Sequence, residues 1–135
     1  MADASRTVAL LHLAPRPGDI AHNKRMIESA VRRAAAMGAV FVVSPELAVS
    51  GYGFRDAIGT DWIARDQPEL FAWAGDIARQ ASVFLLLGTP EADGRLFNSQ
   101  ILFAPDARGW GTIARSWCSR SVRNRGRRRG TAAPS

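Results

Sequence analysis

The 135-residue chain has one cysteine (Cys118), one tyrosine (Tyr52) and one lysine (Lys24). A lone thiol closes no internal disulfide and supplies no metal cage, so neither kind of scaffold is expected. No apolar run reaches the roughly 18 residues that a membrane span needs. The opening "MADASRTVALLHLAP" lacks a basic flank and a small-residue cleavage site, and reads as a first strand, not a leader. The expectation is a soluble, reduced, cytoplasmic protein with no membrane partner. Acid is scarce too, but only at one end. Residues 108 to 135 carry eight Arg and no Asp or Glu, net +8, whereas residues 1 to 107 carry ten basic and all twelve acidic residues, net −2. The overall charge of +6 is therefore a property of one segment.

Residues 1 to 107 are rich in short apolar runs. "RTVALLHLAP" (6 to 15) reads as a strand covered on both faces, stopped by Pro15, Pro17 and Gly18. Asp19 stands where an N-cap belongs, and Ile20, Asn23, Ile27, Ala30, Ala34 and Met37 then recur at helical spacing, with Gly38 as a left-handed C-terminal cap. "AVFVV" (39 to 43) is a second strand. Pro68 fits the first turn of a helix over about 67 to 81. "VFLLLG" (83 to 88) is a third strand, Asp93-Gly94 a turn, and "LFNSQILFAP" (96 to 105) a fourth strand. The order β-α-β-α-β-β argues for an α/β layer. From residue 108 the chain shows no helical or strand period, and its Arg, Gly, Ser, Ala and Pro content predicts disorder.

The chemistry centres on "VVSPELAVSGYGF" (42 to 54). Proline carries no ladder N–H and pushes the residue before it toward extended geometry, so Ser44-Pro45 ends the strand and delivers Glu46 at the sheet's carboxyl edge. Open α/β sheets bind ligands at that edge. A carboxylate half-shielded by Tyr52 and Phe54 is suited to general-base work, and those two aromatics are the candidate substrate-binding residues. The ordinary alternative is a solvated loop acid. His12 and His22 have no metal partner at ligand spacing, Gly51-Tyr52-Gly53 is a turn and not a phosphate loop, and Asn98 is expected to satisfy backbone groups near the sheet edge, with a binding role as the lesser alternative.

Taken together, "VALLHLAP", Asn23, "GAVFVVSPELAVSGY", "FLLLGTPE" and "LFNSQILFAPD" resemble, in order, the amino-terminal half of a carbon-nitrogen hydrolase of the nitrilase superfamily. The resemblance implies a partial α-β-β-α sandwich. It also implies a Glu-Lys-Cys catalytic set acting on amide, nitrile or N-carbamoyl substrates without metal or organic cofactor, with Glu46 at the family's glutamate. Members are usually homo-oligomers. The glutamate frees a thiolate, the lysine stabilises the charge developing on the attacked atom, and water releases the acyl group from sulfur.

The chain departs from that pattern after "NSQILFAPD". The family's lysine belongs there, yet Lys24 lies in the first helix. Cys118, in "RSWCSRSVR", comes too early for the nucleophile and has no apolar strand before it. The expectation is a truncated hydrolase, itself inactive. A shifted reading frame would explain the break: one back-translation of "GWGTIARSW" gives Val-Gly-His-Asp-Arg-Glu-Lys-Leu in a neighbouring frame, which resembles the missing segment. Two alternatives stand beside this reading. "RNRGRRRG" (123 to 130), with Trp110 and Trp117, could hold a nucleic acid, although such runs are ordinarily solvated ends. The chain could also be a half-domain completed by another polypeptide.

Overall fold

The computed structural model describes residues 5–106 and 110–117. Within them lie five strands and three helices: β1 (Thr7–Leu10), α1 (Ile20–Ala36), β2 (Ala39–Val43), α2 (Phe54–Ile58), α3 (Asp61–Ala81), β3 (Phe84–Ala92), β4 (Leu96–Phe103) and β5 (Trp110–Trp117). The strands form one sheet in chain order. β1, β2 and β3 run parallel, while β4 and β5 add antiparallel to β3 and to each other.

Each parallel step needs a crossover, and α1 and α3 supply the two. Both helices pack on the same face of the sheet. Ile27 and Val31 of α1 and Leu70, Phe71, Ala74 and Ile77 of α3 are buried against Val42, Leu85, Leu87, Ile101 and Phe103. Each buried Val, Leu, Ile or Phe side chain contributes about 1.5–3 kcal/mol of apolar burial. The opposite face has no second layer among the described residues. There Val8, Leu10 and Phe84 are exposed, and Phe41 stacks on Phe84 with ring centres 5.9 Å apart. The described residues thus form one helical layer on one sheet, the partial sandwich that the resemblance implies.

Several boundaries match expectation. β2 spans 39–43, Asp19 accepts the His22 N–H at 3.1 Å as the N-cap of α1, and Gly38 has φ of +90°. Others need correction. The first strand stops at Leu10, and His12 lies beyond it, exposed. α3 begins at Asp61, so Pro68 lies inside the helix and not in its first turn. β3 continues through Pro90 to Ala92. Beyond Leu86 its ladder with β2 ends, so a residue without an N–H is tolerated on that side. α2 had no periodic signal because it is five residues long.

The largest correction concerns residues 110–117, expected to be structureless. They form β5, paired with β4 from Phe97↔Trp117 to Phe103↔Trp110. Trp110, considered as a base-stacking residue, packs edge-on against Phe71 at 4.6 Å. The rest of the Arg-rich segment, Cys118 included, lies outside the described residues.

Candidate active site

The loop after β2 is anchored on three sides. Ser44 N–H donates to Leu86 O at 2.9 Å, and Ser44 Oγ accepts the Gly88 N–H at 2.9 Å, tying the loop to β3. Val49 N–H donates to Gly88 O at 3.3 Å. From the helical side, the fully buried Asn23 donates to Arg16 O at 2.8 Å and to Val49 O at 3.0 Å, while its Oδ1 accepts the Arg16 N–H at 2.8 Å. Gly51, at φ +70°, lies so close to the Arg16-Pro17 backbone that an added Cβ would stand 3.0 Å from it.

Between these anchors the chain turns sharply. Leu47 adopts a left-handed φ of +51°, a conformation costing an L-residue about 1–2 kcal/mol. Its side chain is buried with Phe54, Trp62 and Ile63, which offsets that cost. Gly88 lets the turn lie flat on β3, because a Cβ there would sit 2.2 Å from Pro45 O. The result is a sequence of buried Ser44, exposed Glu46 and buried Leu47.

Glu46 is held by two side chains. Tyr52 Oη donates to Glu46 Oε2 at 2.7 Å, and Asn98 Nδ2 donates to Glu46 Oε1. The hydrogen bond to Glu46, then desolvation and the carboxylate's charge, hold the Tyr52 phenol above its ordinary 10.0. A hollow lined by residues 10–14 and 43–45, at the carboxyl ends of β1 and β2, adjoins this loop. The arrangement is an oriented carboxylate open to solvent at a sheet edge.

Of the residues singled out from sequence, Glu46 and Tyr52 come together. Phe54 does not join them: only 3% exposed, it packs edge-on against Trp62 at 5.9 Å and is a core residue, not a substrate contact. Asn98 was assigned to backbone groups and instead holds the carboxylate. Alternation along β4 signals its face, but only the register Pro90↔Asn98 brings it to Glu46. Lys24 lies away from this group of residues on α1, its Nζ 5.0 Å from the Trp73 ring centre.

A second acid escaped the sequence reading. Glu91, 1% exposed, accepts from Ser99 Oγ at 2.6 Å, Arg115 Nη2 at 2.7 Å and Thr112 Oγ1 at 3.3 Å. Arg115 also pairs with Asp93 at 3.0 Å. This carboxylate lies on the sheet face opposite Asn98, with its oxygens occupied by the chain itself.

Residues 7–116 match the carbon-nitrogen hydrolase family. The chain is 33% identical over 101 residues to a nitrilase of Pyrococcus abyssi, an alignment covering 73% of this chain and 38% of that protein. It is also 33% identical over 104 residues to a glutamine-dependent NAD(+) synthetase of Synechocystis sp., covering 71% of this chain and 18% of that one. A solved amidase of the nitrilase superfamily from Nesterenkonia superimposes with a TM-score of 0.67 at 25% identity, over 81% of this chain and 41% of that chain. The chain therefore spans about two fifths or less of the length of these relatives. It belongs to the carbon-nitrogen hydrolase family.

Proposed function

We propose that this chain is part of a hydrolase of non-peptide carbon–nitrogen bonds, acting on an amide, nitrile or N-carbamoyl substrate, with Glu46 as general base. The observation that carries the reading is the loop itself. A buried, triply anchored turn with a strained Leu47 exists to present one exposed carboxylate, held by Tyr52 and Asn98, at the sheet's carboxyl edge. In such an enzyme the carboxylate removes a thiol proton, the thiolate attacks the substrate carbon, and a lysine stabilises the developing negative charge.

Neither partner is placed beside Glu46 by the described residues. Lys24 faces Trp73, and Cys118 lies outside them. The chain alone accordingly turns over no substrate. Assays of the purified chain against simple amides, nitriles and N-carbamoyl amino acids test this. Turnover that vanishes in Glu46→Gln and in Cys118→Ala would overturn the claim of inactivity.

The sheet face that the described residues leave uncovered favours a second reading, in which a separate polypeptide completes the sandwich and brings the lysine and cysteine. Recovery of hydrolase activity from a complex of two chains would support it. A shifted frame is the simpler proposal for the residues that follow β5, where the family match ends at residue 116, and the gene's nucleotide sequence tests it. A gene with no family-like continuation in another frame ends that idea.

A further inference from the structure

The two donors on Glu46 are chemically unlike, and the difference assigns separate roles to its two oxygens. An amide nitrogen only donates, so Asn98 Nδ2 can face an acceptor oxygen and nothing else. A phenol both donates and accepts, so Tyr52 Oη can face Oε2 whether or not Oε2 carries hydrogen. We infer that Asn98 is a positioning residue that keeps Oε1 unprotonated and so makes Oε2 the oxygen on which Glu46 takes up a proton, with Tyr52 the partner of Oε2 before and after.

The step balances within these groups. A proton arriving on Oε2 neutralises the carboxylate. Oε1 becomes the carbonyl oxygen and keeps its bond from Asn98. Tyr52 Oη turns its own hydrogen to solvent and accepts the new Oε2–H. Tyr52 has the freedom to do so, being 62% exposed. Asn98 is fixed by the β3–β4 ladder, where it pairs with Pro90. The inference rests on Glu46 acting as the base, but it concerns the ground state and can be tested without turnover.

Tyr52 is the chain's only tyrosine, so near-ultraviolet absorbance of tyrosinate reports on this site alone. Glu46 is the ionisable group that acts on it. Glu46→Gln removes the negative charge, and the Tyr52 midpoint falls toward 10.0. Asn98→Ala and Asn98→Leu leave the carboxylate with one donor instead of two, so it holds the phenol hydrogen more tightly and the midpoint rises further. Opposite shifts from the two sites are the expected result. A midpoint that falls in Glu46→Gln but does not move in the Asn98 variants overturns the inference and leaves the Glu46–Tyr52 site standing. A midpoint unmoved by Glu46→Gln sinks the site itself.

A measurement on the unaltered chain guards against Asn98 variants that fail to fold. If Oε1 stays an acceptor, the Asn98 side-chain amide hydrogen that faces it keeps its protection, relative to a free side-chain amide at the same pH, when acid protonates Glu46. Protection that is lost relative to that free amide as Glu46 is protonated overturns the assignment.

Discussion

Gly88 marks the point where a single atom decides whether the site forms. A Cβ there would stand 2.2 Å from Pro45 O and 2.9 Å from Leu47 N, both backbone atoms that cannot move without taking Glu46 with them. Gly88→Ala is expected to cost about 1–3 kcal/mol, read as a lower denaturation midpoint, and to return the Tyr52 midpoint toward 10.0 as Glu46 is displaced. Unchanged stability together with an unchanged Tyr52 titration would show that the loop has slack. Tyr52 also gives a pH dependence whose sign is fixed. Its phenol is raised in the folded chain, so its stabilising contribution is complete below 10.0 and is lost as pH rises through the higher folded value. Thermal melts across that range should show this extra alkaline loss in the native chain and its absence in Glu46→Gln. Glu46 and Tyr52 were legible from sequence because Pro45 and the flanking glycines are local signals. Asn98 was not, because its partner is 52 residues away.

At the scale of elements, two adjacent polar residues of β4 face opposite ways. Asn98 reaches Glu46 on the open face, and Ser99 reaches Glu91 on the helical face. β5 is locked in place through Arg115, which meets Glu91 and Asp93 and lies over the Phe97 ring at 4.4 Å. Arg115→Met leaves Glu91 buried without its cation, a far costlier state than losing both charges. The single variant should melt lower and exchange the β5 amides faster than native, while Glu91→Leu/Arg115→Met should recover most of the loss. Equal losses in the single and double variants would show that the pair is incidental. The "WGTIARSW" segment gave no strand period because its polar residues meet partners on β3 and β4. An ion pair 24 residues apart in sequence ties it to β3. The start of α3 was misjudged for a similar reason. Pro68 usually opens helices, yet the anchoring of Trp62 and Ile63 against Leu47 and Phe54 extends this one back to Asp61.

At the scale of the whole molecule, the feature with the largest consequence is the sheet face that the described residues leave uncovered. Val8, Leu10 and Phe84 are 56%, 67% and 40% exposed, and together with Phe41 they make an apolar surface that the helices do not reach. Exposed apolar patches of this kind favour association. The purified chain should show concentration-dependent light scattering, and Phe84→Glu should reduce it without changing the far-ultraviolet circular dichroism. A native chain as monodisperse as that variant would mean the face is not adhesive. Among the described residues no helix is long and apolar enough to cross a membrane. The sequence by itself determined the alternation of strands and helices, the strand-ending proline and the acid that follows it, because apolar period and proline chemistry act over a few residues. Only the tertiary structure decided that Asn98 holds that acid, that Phe54 belongs to the core and that residues 110–117 pair as a fifth strand. Those outcomes depend on strand register and on burial shared between distant segments, which no local pattern encodes.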